Sequence, residues 1–285
     1  MNMPPNPSHN PQDVETTLQK PELQRQWQNA YRSPQNVRFF HQAIDAIIQQ
    51  AQISPQAHWL DAGCGSGTKS ILLAQRGIRV TGVDLAQAVI EKAQAASASL
   101  SLDPPPHFQQ DNLCTLSFES GQFDVVFCWG VLMHIPEVET ALRECIRVLK
   151  PGGVLVISEG NLHSLQARLL RGLKRLARRQ KETLRRTPAG IESWCETDLG
   201  AVLTRQADIG WLRNQLTQHG IERPKRMAGQ FTELYTRFQA PIAQSFIHAL
   251  NHVYFRCVPV PALAFGNILV GTKQANPSSQ DPAIG

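Results

Sequence analysis

Apolar positions along the chain form short runs that are separated by stretches with helical spacing. The runs that suit buried strands are residues 58–60, 78–83, 125–129, 154–158 and 221–227. Helical spacing follows the first run at 68–73 and the third at 137–149, and the second of these helices stops at Pro151 and Gly152. This alternation predicts an α/β domain whose parallel strands are covered on both faces.

A glycine-rich turn joins the first strand to the first helix of this pattern. Asp61 ends the strand, and Gly63, Gly65 and Gly67 follow at alternate positions before a helix that begins at Thr68. Glycine supplies positive φ angles and close backbone approach, and the N–H groups of a helix start suit an anionic ligand group. The dinucleotide spacing G-x-G-x-x-G is not met, because the third glycine comes one residue early. That spacing disfavours a nicotinamide oxidoreductase.

Polar side chains end the next two strands. Asp84 follows the second strand, where an ionised carboxylate can accept hydrogen bonds from both hydroxyls of a ribose. Its structural alternative is N-capping of the following helix. Asp111 and Asn112 end a short third strand, and a surface turn is the alternative for them. Since ligands of open α/β sheets bind at the carboxyl ends of strands, these groups predict a nucleoside site beside the glycine turn.

The order of these motifs resembles the class I S-adenosylmethionine-dependent methyltransferases. The resemblance covers residues 27–160 well and residues 205–273 loosely, and it includes a helix-turn-strand signature at 149–157. It implies a Rossmann-like, seven-stranded, mostly parallel sheet with helices on both faces and an antiparallel last strand. It also implies that S-adenosylmethionine is the cofactor and that methyl transfer is the reaction.

The same resemblance implies cofactor contacts residue by residue. In the family, the acid before the turn, here Asp61, faces the cofactor ammonium group, and the acid at Asp111 accepts from the adenine amino group. Relatives often close an upstream aromatic side chain over the cofactor; Tyr31 and Trp27 are the candidates, with simple packing as the alternative. The implied cofactor-binding residues are Asp61, Gly63, Cys64, Gly65, Gly67, Asp84, Leu85, Asp111, Asn112, Leu113, Cys128, Trp129, Gly130 and Tyr31.

A general base is optional in this chemistry, because the thioether leaving group is already activated. Glu159 and His163, just beyond the fifth strand, are the candidates if the acceptor is a hydroxyl. His134 matches a histidine common in the family; we interpret it as structural, with a catalytic role as the alternative. No metal site is expected, because His248 and His252 lie four residues apart without a third ligand nearby.

Composition fits a globular protein with a substantial core, since 42% of the residues are hydrophobic and 18% are charged. No apolar stretch approaches the ~18 residues of a membrane span, and the proline-rich N-terminus lacks a charged-then-apolar leader. Six cysteines without a C-x-x-C pair indicate reduced thiols, so we expect a cytoplasmic protein. We expect a methyltransferase domain at 21–273 with helical insertions at about 161–205 and 231–263, and disordered tails at 1–20 and 274–285.

The positive charge is concentrated in one segment. Residues 166–190 contain nine Lys or Arg and a single Glu, so the net charge of +5 leaves −3 on the rest of the chain. On a helix, the leucines between positions 165 and 184 fall on one side and the basic residues on the other. One interpretation is that these leucines cover the substrate cleft; another is that residues 165–186 contact an anionic membrane or an acidic carrier. DNA or RNA binding is not expected, because no aromatic residues interleave the charges.

The predicted function is methyl transfer from S-adenosylmethionine to a small-molecule or lipid-like acceptor. Signatures that mark amino methylation of nucleic acids are absent after the fourth strand, where the sequence runs from Cys128 to Val131. The alternative is a regulatory module that keeps the cofactor pocket and acts on a partner through the basic helix.

Overall fold

The computed structural model describes residues 10–31, 33–176, 183–238 and 240–275. These residues form ten strands and nine α-helices. The strands are β1 (His58–Ala62), β2 (Arg79–Asp84), β3 (His107–Gln110), β4 (Phe123–Trp129), β5 (Leu149–Gly160), β6 (Thr183–Thr187), β7 (Gly190–Thr197), β8 (Gly200–Ala207), β9 (Ile221–Ala228) and β10 (Gly266–Lys273). The helices are α1 (Pro11–Leu18), α2 (Pro21–Tyr31), α3 (Pro34–Ala51), α4 (Thr68–Ala74), α5 (Gln87–Ala98), α6 (Val138–Val148), α7 (Leu165–Leu176), α8 (Ile209–Gln218) and α9 (Pro241–Cys257).

Seven strands form a central sheet in the order β3-β2-β1-β4-β5-β10-β9. The first five strands pair in parallel, whereas β10 is antiparallel to both of its neighbours, β5 and β9. The predicted Rossmann-like sheet with an antiparallel last strand is therefore confirmed. All five parallel strands point their carboxyl ends to the same edge, which is where the glycine turn lies.

Alternate side chains of the central strands fill two apolar layers. Leu60 of β1 packs with Leu142 of α6 in one layer, and its neighbour Trp59 packs with Ile44 of α3 in the other. All four are at most 1% exposed. Burial on both faces explains why β1 and β4 are almost continuously apolar, and it makes the sheet a rigid support for the loops at its carboxyl edge.

The expectation of a disordered tail over residues 1–20 was wrong for its second half; residues 1–9 lie outside the described residues. Helix α1 begins after Asn10, whose side chain accepts an N–H of the first turn at 3.2 Å. Val14 is fully buried in a small apolar cluster with Trp194. This contact with a distant part of the chain holds the helix, so the local composition gave no sign of it.

The predicted helical insertion at 161–205 is largely a sheet. Helix α7 ends at Leu176, residues 177–182 lie outside the described residues, and β6, β7 and β8 form a separate antiparallel sheet. The amphipathic helix expected across 165–186 is therefore wrong from residue 183 onward, where β6 begins. Alternating burial along β7 follows a period of two, and Gly190 and Gly200 begin β7 and β8 with positive φ angles. The charge pattern obscured this strand periodicity.

The described leucines of α7 do not cover a cleft. Leu165, Leu169 and Leu173 are 42%, 58% and 61% exposed. Arg171 instead turns inward, donating to the Gln206 side chain and to a backbone carbonyl. The interpretation of these three leucines as a cover for the substrate cleft is thus wrong, because they face solvent and none of them lines the cavity.

The second insertion contains a short 3-10 turn (Leu234–Thr236) and α9. His248 stacks on the Tyr235 ring with centroids 4.6 Å apart, and Nδ1 of His252 lies 3.4 Å from Nε2 of Gln42.

None of the helices in the described parts of the chain combines the length and apolarity that a bilayer-spanning helix needs. Residues 276–285 of the expected C-terminal tail lie outside the described residues.

Candidate active site

A cavity of about 300 Å³ opens at the carboxyl edge of the central sheet. It runs from the end of β2, across the ends of β1, β4 and β5, to the residues that follow β9, and α2 closes another side. Open α/β sheets bind their ligands at this edge. The sequence-predicted residues in its wall are Gly63, Cys64, Gly65, Asp84, Leu85, Asn112, Leu113, Trp129, Gly130, His134 and Glu159.

The three glycines of the turn after β1 have different uses. All adopt positive φ angles, of 80°, 54° and 77° for Gly63, Gly65 and Gly67. A Cβ on Gly63 would lie 2.4 Å from a Val131 methyl, and one on Gly67 would lie 2.9 Å from the Phe108 ring. A Cβ on Gly65 would meet nothing within 4 Å. The outer glycines therefore permit close packing, whereas Gly65 leaves open space in the cavity wall for a ligand.

Asp84 ties the end of β2 to this turn. One carboxylate oxygen accepts the Gly65 N–H at 2.9 Å, and the other accepts the Ala86 N–H at 3.1 Å. The capping alternative does not hold, because the N-cap residue of α5 is Ala86. Burial raises the pKa of Asp84 and the two backbone bonds oppose that shift. An ionised carboxylate offers about four acceptor positions, so Asp84 retains capacity for ribose hydroxyls.

Asp61 lies behind the turn and not in the cavity wall. Its side chain is fully buried; Oδ2 accepts from the Ser70 hydroxyl at 2.6 Å, and Oδ1 has no partner among the described residues. Burial raises the pKa of this carboxyl. A buried acceptor without a partner is costly, so Oδ1 stays buried because the turn around it and the Ser70 bond to Oδ2 hold the carboxylate in place.

The loop after β3 presents Asn112 and Leu113 to the cavity, but not Asp111. The Asp111 carboxylate accepts the Asn112 N–H at 2.8 Å and the Ser117 N–H at 3.0 Å, so it shapes the loop. Nδ2 of Asn112 donates to Oε1 of Glu15 at 2.6 Å, which fastens α1 to this side of the cavity.

The end of β4 supplies an apolar wall. Trp129 and Gly130 line the cavity, while Cys128 is fully buried in the core behind them. The Trp129 ring packs edge-on against Phe39 and Phe40, with centroids 6.1 and 5.8 Å apart. Such a wall excludes water and favours a ligand with apolar surface.

His134 is a neutral histidine that combines structural bonding with a place in the wall. Its Nδ1 lies 2.8 Å from the Leu203 carbonyl, which requires the proton on Nδ1 and leaves Nε2 as an acceptor. Burial lowers the pKa of the ring to about 4. Trp27 of α2 stacks on it, with ring centroids 4.5 Å apart and planes at 23°.

Of the two candidate bases at the end of β5 and just beyond it, the structure brings only Glu159 to the cavity. Glu159 is 4% exposed; Oε1 accepts the Leu132 N–H at 3.0 Å, and Oε2 has no partner within the described chain. Burial raises the pKa of this carboxyl to about 8. His163 is 66% exposed, does not line the cavity, and lies 3.5 Å from the Asp208 carboxylate.

Sequence reasoning missed Arg205, which connects the small sheet to this wall. Arg205 and Glu192 are 2% and 6% exposed and pair at 2.9 Å. Nη1 of Arg205 also donates to the carbonyls of Leu132 and Ile135 at 2.8 and 3.0 Å. The strand periodicity of β8 could have revealed it, because this periodicity places Arg205 on the buried face of the strand.

Helix α2 forms another wall that was only partly foreseen. Trp27 was a candidate and lines the cavity, whereas Tyr31 lies in α2 with a side chain outside the described ones. Gln28 was missed; it lines the cavity, and its Nε2 is buried without a partner in the described parts of the chain. That orphaned donor suits an oxygen of a ligand.

The segment after β9 was also missed as part of the site. Tyr235 donates its hydroxyl to Oε1 of Gln230 at 3.2 Å, and Gln230 donates to Oδ1 of Asn36 at 3.0 Å. Burial raises the pKa of Glu233, which also lines the cavity, to about 7. These residues lie in an insertion, where no family motif marks them.

The wall fits S-adenosylmethionine. Open space at Gly65 and at Gly130, where an added Cβ would also meet nothing within 4 Å, lets a ligand approach the backbone closely. Asp84 faces the same space with unused acceptor capacity, and Leu85 and Leu113 supply flanking apolar surface. No group of three or more potential metal ligands occurs within the described ranges.

Comparisons with known proteins identify the family. Residues 60–157 match the family described as methyltransferase domain. The chain is 32% identical over 169 residues to a ubiquinone biosynthesis O-methyltransferase of Pseudomonas fluorescens, an alignment that covers 56% of this chain and 70% of that protein. The chain belongs to the class I S-adenosylmethionine-dependent methyltransferases. S-adenosylmethionine is therefore the cofactor, as the sequence predicted.

Two further comparisons differ in how much of each protein they cover. A ubiquinone biosynthesis O-methyltransferase of Coxiella burnetii is 28% identical over 155 residues, covering 54% of this chain and 65% of that protein. The chain thus spans just under two thirds of that relative. A magnesium protoporphyrin IX methyltransferase of Synechocystis, solved with bound SAH, superposes with a TM-score of 0.60 at 18% identity, covering 93% of this chain and 100% of that one. That similarity supports the fold alone.

Proposed function

We propose that this protein transfers the methyl group of S-adenosylmethionine to a hydroxyl oxygen of a small or lipid-like acceptor. One observation carries the proposal: a single cavity spans the strand ends from β2 to β9. Its β2 side offers the glycine turn and Asp84 to a nucleoside. Its β5 and β9 side offers Glu159 and Glu233 to a second molecule. A methyltransferase requires such a pair of adjoining subsites.

An oxygen acceptor is favoured by two features. The relatives named above are O-methyltransferases, and the unpartnered Oε2 of Glu159 can take a hydroxyl proton. The apolar wall around Trp129 favours an acceptor that carries apolar surface. The same relatives are enzymes by name, so the alternative of a purely regulatory module gains no support.

The bound cofactor supplies an activated methyl group on a sulfonium sulfur. The chain contributes position and desolvation: Trp129 and Trp27 exclude water, and the backbone at Gly65 allows close approach. As the acceptor oxygen gains its methyl group it loses a proton, which the ionised form of Glu159 takes up at Oε2. A carboxyl with a pKa of about 8 holds that proton better than an exposed acid would.

On the partner side, we propose that residues 165–186 contact an anionic membrane or an acidic carrier. Leu165, Leu169 and Leu173 are exposed on α7, and Arg185 and Arg186 are exposed on β6. A segment that exposes both leucines and arginines is typical of interfacial contact.

Cofactor titration tests the cavity assignment. We expect Asp84→Ala and Gly65→Val each to weaken S-adenosylmethionine binding by about tenfold or more, through lost charged hydrogen bonds and through a side chain placed in the open space. Asp45→Ala, an exposed acid on α3, is the matched control and should bind normally. Unchanged affinity in both cavity variants would overturn the assignment.

The acceptor is tested with labelled methyl donor. A panel of phenols and catechols, with and without a prenyl tail, is offered beside primary amines of similar size. Methyl ethers are the expected products. Methylation confined to the amines would contradict an oxygen acceptor.

A further inference from the structure

Helix α9 turns its apolar side towards solvent. Ile242, Phe246, Leu250 and Val253 are 86%, 71%, 38% and 54% exposed. Their spacing of four, four and three places them on one face. The opposite face, with Ile247, Asn251 and Tyr254, is the buried one. A helix that buries Asn251 and exposes Phe246 has an outer face that suits contact with an apolar surface.

The outer stripe of α7 lies next to this face. The Leu165 N–H donates to the carbonyl of Leu263, in the loop that follows α9, at 3.3 Å. Thr232 bridges both helices, because its N–H donates to Oδ1 of Asn251 and its hydroxyl to Oε1 of Gln166. We call the combined surface the apolar face; its residues are Leu165, Leu169, Leu173, Ile242, Phe246, Leu250, Val253, Val260 and Leu263, all exposed.

Charge within the two segments that carry the apolar face has one sign. The sequence contains no Asp or Glu in residues 160–181 or 234–280, whereas Arg168, Arg237 and Arg256 are exposed there. A two-fold contact with a second copy would bring these like charges together. An anionic lipid surface matches both the apolar side chains and the arginines.

We propose that the apolar face inserts into the interfacial region of an anionic membrane and opens the acceptor end of the cavity towards the lipid. The inference rests on the proposed function, because it names the surface from which a lipid-like acceptor enters. Glu233 connects the apolar face with the cavity. Its N–H donates to Oε1 of Gln166 on α7 at 2.9 Å, and the residue lines the cavity. An acceptor that leaves the lipid beside α7 therefore enters the cavity whose wall also contains Glu159.

Vesicle sedimentation with the full chain tests the proposal. We expect binding to vesicles that contain phosphatidylglycerol, weaker binding to pure phosphatidylcholine, and weakening with added salt. The double variant Ile242→Ser/Phe246→Ser should lower the vesicle partition coefficient by about tenfold or more. The control is Leu100→Ser. Leu100 follows α5, is 44% exposed and does not belong to the apolar face, so this variant should bind vesicles as the wild type does.

Separate readouts distinguish this inference from the proposed function. S-adenosylmethionine affinity and methylation of a water-soluble acceptor are measured on the same variants and should not change, because neither side chain lines the cavity. The single variant Ile242→Ser, at the most exposed position, repeats the test should the double variant fold poorly. The proposal would be overturned if the wild-type protein did not bind anionic vesicles, or if Leu100→Ser lost as much vesicle binding as the double variant. It would also be overturned if the wild type were a dimer that the double variant converts to a monomer.

Discussion

Glu159 and Arg205 hold the backbone of Leu132 from opposite sides. The Leu132 N–H donates to Oε1 of Glu159 at 3.0 Å, and the Leu132 carbonyl accepts from Nη1 of Arg205 at 2.8 Å. One residue comes from β5 of the central sheet and the other from β8 of the small sheet. The loop after β4, which carries His134 into the cavity wall, is therefore fixed by both sheets at once.

Arg205→Met should destabilise the folded protein strongly. The substitution leaves Glu192 buried without its partner and removes the donor to the Leu132 and Ile135 carbonyls. Breaking a buried ion pair from one side costs about 3–5 kcal/mol. Urea unfolding at pH 7 measures the loss. Arg185→Met, an exposed arginine of the same small sheet, should stay within about 0.5 kcal/mol of the wild type. Equal effects of the two changes would contradict the anchoring role.

Glu159→Gln should change how stability depends on pH. Burial raises the folded-state pKa of Glu159 from 4.5 to about 8, so the folded protein keeps a proton that the unfolded chain releases between those values. The contribution of Glu159 is therefore fully present below about pH 4 and is lost as pH rises towards 8, by roughly 1 kcal/mol per pH unit. The amide variant has no such slope, while its side-chain oxygen can still accept the Leu132 N–H.

Unfolding curves of both proteins from pH 5 to pH 8 check this expectation. The wild type should lose stability relative to Glu159→Gln as the pH rises. If Glu159 also takes the acceptor proton, kcat/KM of the wild type should show an ionisation near pH 8 that the variant lacks. Parallel stability curves would show that the carboxyl is not held protonated.

Local sequence patterns were sufficient for most strands of the central sheet and for the cofactor turn, whereas the antiparallel last strand was implied by the family resemblance. Strand periodicity, proline and glycine stops and the alternate glycines at 63, 65 and 67 depend on neighbouring residues. Asp84 was assigned to the cavity because its position at a strand end fixes where its side chain lies. Carboxyl edges of parallel strands converge whatever the rest of the chain does.

Contacts between distant segments decided what the sequence did not reveal. Val14 looks like part of a polar tail until Trp194 is placed against it, and Arg205 looks like one basic residue among many until Glu192 covers it. Asp111 and Asn112 are adjacent, yet only Asn112 reaches the cavity, because a turn uses both Asp111 oxygens. Side-chain direction within a loop depends on hydrogen bonds that spacing alone does not encode.

Asp61→Asn should make the cofactor-free protein more stable and weaken its binding of the cofactor. Burial raises the pKa of Asp61, and Oδ1 lacks a partner among the described residues, so an ionised carboxylate destabilises the cofactor-free protein at high pH. The amide should raise the Tm of that form at pH 8 more than at pH 5, and lower the affinity for S-adenosylmethionine if Asp61 faces the ammonium group. Thermal scans and titration measure the two effects. A lower Tm at pH 8 would mean that the carboxylate stabilises the turn.

Val14→Asp should speed release of the cofactor without unfolding the central sheet. Val14 lies on the buried side of α1 and is fully buried. The neighbouring Glu15 accepts a hydrogen bond from the Asn112 side chain in the cavity wall. A buried unpaired carboxylate is too costly to keep, so α1 should detach and uncover that side of the cavity. We expect the dissociation rate of S-adenosylmethionine to rise by about tenfold or more in stopped-flow displacement. Thr16→Asp adds the same charge at an exposed position of the same helix and should leave the rate unchanged. Equal dissociation rates in the two variants would show that α1 does not retain the cofactor. A faster dissociation in Val14→Asp alone would show that α1 controls cofactor release.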